Sequence, residues 1–141
     1  MNHDVFHILR LDDYHEAIGK LTTLMSTHFY FALTGDLGAG KTTLVKKWMH
    51  HIGVTDEVTS PTFSLINEYQ LDDSTIYHMD LYRIKSDKEL IEIGIEEYLY
   101  QGAHLIIEWP ELILSELTRS LLVQINIESM DEARRIELRY M

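Results

Sequence analysis

Gly35-Asp36-Leu37-Gly38-Ala39-Gly40-Lys41-Thr42 is an unbroken Gly-x-x-x-x-Gly-Lys-Thr stretch. The residues between Gly35 and Gly40 wrap the backbone around a phosphate with successive N–H groups pointing inward, and glycines at the ends and at Gly38 permit positive φ and close approach. Lys41 then reaches β and γ oxygens of a nucleoside triphosphate, and the Thr42 hydroxyl takes one position on Mg²⁺. The helix that follows aims its positive end at the anion. Nucleotide binding is therefore expected along Gly35, Asp36, Leu37, Gly38, Ala39, Gly40, Lys41, Thr42 and Thr43. The flanks agree: Phe29-Tyr30-Phe31-Ala32-Leu33-Thr34 is an apolar run of buried-strand length, and Leu44, Val45, Trp48, Met49 and Ile52 recur at helical spacing and stop at Gly53. Strand, loop and helix stand in the order a phosphate loop requires.

Further from the loop, Val5 to Leu9 reads as a strand, and Asp12-Asp13 opens a helix with apolar positions Tyr14, Ala17, Ile18, Leu21 and Met25. Ser64 to Gln70 and Thr75 to Tyr82 are β-rich runs on either side of the polar turn Leu71-Asp72-Asp73-Ser74, which predicts an antiparallel hairpin. Ser86-Asp87-Lys88-Glu89 has the form of a capping box, with a helix from there toward Ile93 or Gly94 and a further helical segment ending near Gly102. Ala103 to Ile107 is a short apolar strand delivering Glu108, Trp109 and Pro110. Leu121 to Ile127 and Ala133 to Tyr140 bracket a polar turn at 128–132 and predict a closing hairpin. The sum is an α/β, P-loop NTPase-like three-layer fold with a mixed central sheet.

The 141 residues are 45% hydrophobic, enough for one packed core, and a single domain over 1–141 is expected. There is no cysteine, so neither disulfides nor thiolate metal sites enter the reading. Met1 to Arg10 lacks an apolar stretch with basic flanks and no run reaches membrane-spanning length, which together predict a soluble, cytoplasmic chain without a membrane partner. Net charge is −11, from 23 acidic against 12 basic residues, which disfavours a protein that grips a polyanion over its own surface. The eight histidines lack metal-ligand spacing and read as ordinary surface or core residues. His78 is set apart by its neighbours in His78-Met79-Asp80-Leu81-Tyr82-Arg83.

Catalysis needs acidic groups beyond the loop, because Mg²⁺ must be held and a nucleophile oriented. Asp80 ends one β run and Glu108 another. Ligands of open α/β sheets sit beyond the carboxyl ends of parallel strands, which makes Glu108 the better Mg²⁺ ligand beside Thr42. Asp80 either organises Mg²⁺ or the attacking water as a catalytic group with Lys41, or forms a structural ion pair with Arg83. Ser60-Pro61-Thr62-Phe63 is either a nucleotide-sensing switch, with Ser60 and Thr62 near the γ-phosphate, or an ordinary proline turn.

The chain has no Asn-Lys-x-Asp and no Asp-x-x-Gly after the loop, so ATP is the expected nucleotide; it has no Leu-Ser-Gly-Gly-Gln and no arginine-bearing lid. From the residues alone three classes stay open: an ATPase driving conformational cycling, a small-molecule kinase, and a nucleotide-gated binding module.

Taken together, the loop through Thr43, Ser60-Pro61-Thr62-Phe63, Tyr77-His78-Met79-Asp80-Leu81-Tyr82-Arg83 and Glu108-Trp109-Pro110 resemble the TsaE (YjeE) family, the P-loop ATPases of bacterial tRNA threonylcarbamoyladenosine biosynthesis. The resemblance spans roughly residues 5 to 140. It implies an ATPase, using ATP and Mg²⁺, that helps install threonylcarbamoyl on adenosine 37 of tRNAs reading codons that begin with A. The partner it implies is a TsaD–TsaB complex, with tRNA met only through that complex. By matching position it implies Lys41 as phosphate binder, Thr42 and Glu108 as Mg²⁺ ligands, and Asp80 as a catalytic or Mg²⁺-organising carboxylate. Trp109 and Arg134 would lie beside the nucleotide, with the segment around Leu9 to Leu11 enclosing the adenine. His15 stands where the family often has threonine.

Overall fold

The computed structural model describes residues 1–36 and 38–141. Its strands are β1 (Asn2–Ile8), β2 (Tyr30–Thr34), β3 (Ile66–Leu71), β4 (Ser74–Asp80), β5 (His104–Glu108), β6 (Leu122–Met130) and β7 (Ala133–Tyr140). The helices are α1 (Tyr14–Leu24), α2 (Lys41–Ile52), α3 (Asp87–Glu92) and α4 (Ile95–Leu99). The strands form one sheet in the order β1-β7-β6-β2-β5-β4-β3. β2 runs parallel to β5 and β6, and β4 parallel to β5, while β3, β7 and β1 join antiparallel.

The parallel centre explains the continuous apolar runs. β2 and β5 are covered on both faces, so alternate residues feed two separate cores. Phe31, Leu33 and Ile106 pack with Ile18 and Leu21 of α1 and with Leu44, Trp48 and Met49 of α2. Tyr30, Leu105 and Ile107 point the other way, to Leu90, Ile95 and Leu99 of α3 and α4 and to Ile113 and Leu117. That is the expected three-layer arrangement. Across β6 and β7 the second face turns polar, with Gln124, Asn126, Glu137 and Arg139 lining a shared concavity.

Several boundaries differ from the sequence reading, among them the turn of the first hairpin, where Leu71 and Ser74 pair with each other and only Asp72 and Asp73 are left to turn. The second strand of the first hairpin stops at Asp80, with Tyr82 in the turn beyond it, because the Asp80 carboxylate accepts from the Tyr82 N–H at 2.9 Å and bends the chain. The closing hairpin is longer than expected: Glu128, Ser129 and Met130 pair with Arg135, Arg134 and Ala133, leaving Asp131 at φ 52 and Glu132 as the turn. Cross-strand pairing of Glu128 with Arg135 keeps this polar stretch extended. β1 covers Asn2–Ile8 rather than 5–9, since its register is set by seven antiparallel partners on β7.

Candidate functional site

Where β2 ends and α2 begins, two glycines are required by geometry. Gly35 has φ 152°, and a Cβ there would stand 2.6 Å from the Ile127 carbonyl oxygen of β6. Gly40, the residue before α2, has φ 108°, and a Cβ would press on the Tyr14 hydroxyl at 3.3 Å and the Arg134 Nε at 3.5 Å. The loop is thus wedged between β6, β7 and α1. Burial holds the Tyr14 phenol above its usual range, with the Arg134 guanidinium pulling the other way, so it stays protonated against the loop. Leu44 N donates to the Gly40 carbonyl at 3.0 Å, which starts the helix whose free N–H groups face the loop.

A cavity of about 260 Å³ lies on that helix end, lined by Gly38, Gly40, Lys41, Thr42, Thr43, Ser60, Thr62, Asp80, Glu108, Trp109 and Arg134. Lys41, largely buried, donates from Nζ to the Gly35 carbonyl at 2.8 Å and lies 4.2 Å over the Trp109 ring. Trp109 has φ 54°, a left-handed backbone rare for an aromatic residue, and its ring packs 4.9 Å from Tyr82.

Asp80 and Glu108 are register partners on adjacent parallel strands, and both are buried at the carboxyl ends. Asp80 ends a parallel strand as Glu108 does, which the hairpin alone did not reveal. Its carboxylate accepts from the Tyr82 N–H and, at 3.2 Å, from the Thr62 hydroxyl; Ser60 lies 2.7 Å from that same hydroxyl. The ion pair offered as an alternative for Asp80 does not form: the Arg83 guanidinium lies 4.7 Å over the Phe63 ring instead. Behind Glu108, His78 Nε2 is 2.7 Å from Oε2, and the other ring nitrogen is 3.1 Å from the Tyr69 hydroxyl.

Other residues named from the sequence fall elsewhere. Leu11 is exposed and lines a neighbouring concavity with Tyr14, His15 and His51, on a segment pinned by Leu9 and Arg10 N–H groups donating to Asp13 Oδ2 at 2.9 Å each. Asp36 is exposed and accepts the Ala39 N–H at 3.0 Å, while Ala39 is buried. Leu37 lies outside the described residues. The sequence reading missed Tyr69 and the contact of His78 with Glu108. The signal available was the alternation Ile76, His78, Asp80, which puts His78 on the face of Asp80.

The donor set suits a hard cation: two neighbouring carboxylates and a threonine hydroxyl, all oxygen, in one cavity. Among the described residues no group of three or more His, Cys, Asp or Glu could hold an ion alone. Mg²⁺ characteristically takes one or two carboxylates and completes its shell with phosphate oxygens and water, so Thr42 and Glu108, with Asp80, would hold it beside a nucleotide.

A strand, a glycine-wedged loop and a helix on a parallel sheet, faced by two strand-end carboxylates, define a P-loop protein. The family model described as "Threonylcarbamoyl adenosine biosynthesis protein TsaE" matches residues 9–136, and the chain belongs to the TsaE family. A tRNA threonylcarbamoyladenosine biosynthesis protein TsaE of Haemophilus influenzae is 40% identical over 139 residues, covering 96% of this chain and 84% of that one. The protein of the same name from Rickettsia felis is 45% identical over 105 residues, 74% of this chain and 60% of the relative's length. A crystal structure of Bacillus subtilis YdiB superposes with a TM-score of 0.75 at 30% identity, covering 99% of this chain and 86% of that one.

Proposed function

We propose that this chain is a Mg²⁺-dependent ATPase, acting as one domain over 1–141 in the cytoplasm, that supports threonylcarbamoyl modification of adenosine 37 in tRNAs reading codons that begin with A. The observation that carries the reading is the meeting of Asp80 and Glu108, as register partners, in the cavity that holds Lys41 and Thr42. Family membership supplies the process, and the relatives' shared name supports it.

Loop N–H groups and the α2 terminus take the phosphates, with Lys41 leaving the Gly35 carbonyl for the β and γ oxygens. Trp109 forms the wall beside them. Bound Mg²⁺ supplies charge neutralisation on the phosphoryl oxygens. Glu108 and Thr42 would hold the ion. Asp80, held by Tyr82 and Thr62, orients the attacking water in line with the leaving ADP, giving ADP and inorganic phosphate. Contact of Thr62 with Asp80 supports the reading of Ser60 and Thr62 as sensors of the γ-phosphate. Hydrolysis by this chain drives the conformational cycling of a TsaD–TsaB complex, and tRNA is reached only through that complex.

The test is ATP hydrolysis by the chain alone and with TsaD–TsaB, in Mg²⁺. A slow basal rate that rises with the pair, with inorganic phosphate as the product, is expected. An unchanged rate, with normal tRNA modification when this chain is omitted, would count against it.

A further inference from the structure

His78 is fully buried, and its partners are set by its position on β4. Register places His78 beside Ile106 of β5 and opposite Asn67 of β3. The imidazole thus sits on the sheet face that carries Asp80 and Glu108, between Glu108 at the end of β5 and Tyr69 of β3. Glu108 as a carboxylate can only accept, so the hydrogen is on His78 Nε2 and is donated to Oε2 at 2.7 Å. In the neutral ring Nδ1 then accepts, and the Tyr69 hydroxyl at 3.1 Å donates its single hydrogen there, this being the shorter of the two acceptor contacts open to it. Burial raises the affinity of Tyr69 for its proton, which keeps that donor available. The Thr59 carbonyl, one residue before the Ser60–Thr62 segment, is 3.4 Å from the same hydroxyl. Among the described residues none donates to the other oxygen of Glu108, Oε1.

We propose that His78 is a positioning residue for the cation site: braced by Tyr69, it fixes one oxygen of Glu108 and so presents the other to a divalent ion beside the phosphates. This rests on the assignment of Glu108 as a metal ligand made above. A glutamate has freely rotating side-chain torsions, and pinning one oxygen removes that freedom before the ion arrives. An inert core histidine would need a partner for each nitrogen but would have no reason to spend one on a carboxylate that lines the cavity.

The experiment measures Mn²⁺ in place of Mg²⁺, by the electron paramagnetic resonance signal of the free ion, with protein in excess over ADP. Affinity for ADP in chelator is measured alongside, and thermal unfolding confirms folding. His78→Ala is expected to raise the Mn²⁺ dissociation constant about 10–100-fold while leaving metal-free ADP affinity unaltered. His78→Gln, which keeps a donor toward Oε2, should recover most of the loss. Tyr69→Phe, a milder change should His78→Ala fail to fold, should raise the constant about fivefold through the loss of one hydrogen bond.

Folded His78→Ala or Tyr69→Phe protein whose Mn²⁺ constant moves less than about twofold, below the effect of one lost hydrogen bond, overturns the proposal. Glu108→Gln separates the two ideas. If it weakens Mn²⁺ and the His78 and Tyr69 variants do not, the positioning role alone fails. If all of them leave Mn²⁺ unchanged, Glu108 is not a ligand and the role falls with it.

Discussion

Lys41 and Asp80 divide the work in a way substitutions can separate. The Lys41 ammonium lies in the cavity near the Gly35 carbonyl and the Trp109 ring, with Arg134 also on the lining. Removing it takes away charged hydrogen bonds to phosphate, each worth about 1.5–3 kcal/mol. Lys41→Ala is therefore expected to weaken ATP about 10–100-fold, read by fluorescence of a labelled nucleotide. Asp80 touches Thr62 and the Tyr82 amide rather than the loop. Asp80→Ala should leave ATP affinity nearly intact and lower the hydrolytic rate by about 100-fold or more, measured as phosphate release. Equal loss of binding in both variants would contradict this division.

Two elements carry testable strain and charge. At the β2–α2 junction, Gly35→Ala drives a methyl group to 2.6 Å from the backbone oxygen of Ile127, and backbone cannot yield as a flexible side chain would. A melting temperature lower by about 5–10 °C is expected, from differential scanning calorimetry. On β7, Glu137 is gripped by His3 at 3.2 Å, Arg135 at 2.9 Å and Arg139 at 2.7 Å, and its carboxyl is held down to about 2 from an ordinary 4.5, chiefly by His3. With the folded value depressed, the stabilisation is complete above about pH 4.5 and fades as pH falls through about 2. Glu137→Gln lacks that contribution. Denaturant unfolding between those limits should show the native chain losing stability with acid more steeply than the variant, the two curves converging at the acid end. Parallel slopes would show that the cluster does not stabilise the fold.

The whole chain shows which parts of a fold a sequence can announce. Phe29 to Thr34 and Ala103 to Ile107 were legible because a strand buried on both faces must be apolar throughout, and the spacing of the loop glycines predicts a phosphate cradle. The last residues of β6 were not, since Glu128 to Met130 are polar and stay extended only through partners on β7. The contact between His78 and Glu108 was hidden for the same reason: it depends on β4 lying beside β5, a neighbour relation set by packing across 30 residues of chain. Trp109 adopts a left-handed backbone that no local rule for a residue before proline would supply. Charge, in contrast, is fully legible. At −11 the molecule should not retain tRNA unaided, so a gel-shift assay is expected to show tRNA bound only when TsaD–TsaB is added. Direct binding that falls steeply with salt would contradict that.

Among the described residues no helix is long and apolar enough to cross a membrane; the proposed occupant of the cavity lined by Lys41 and Thr42 is ATP. Calorimetric titration of the chain with ATP in Mg²⁺ tests its assignment most directly. The account predicts saturable heat for the native protein that Lys41→Ala largely removes. No heat from the native chain, or the same heat from the variant, would contradict it.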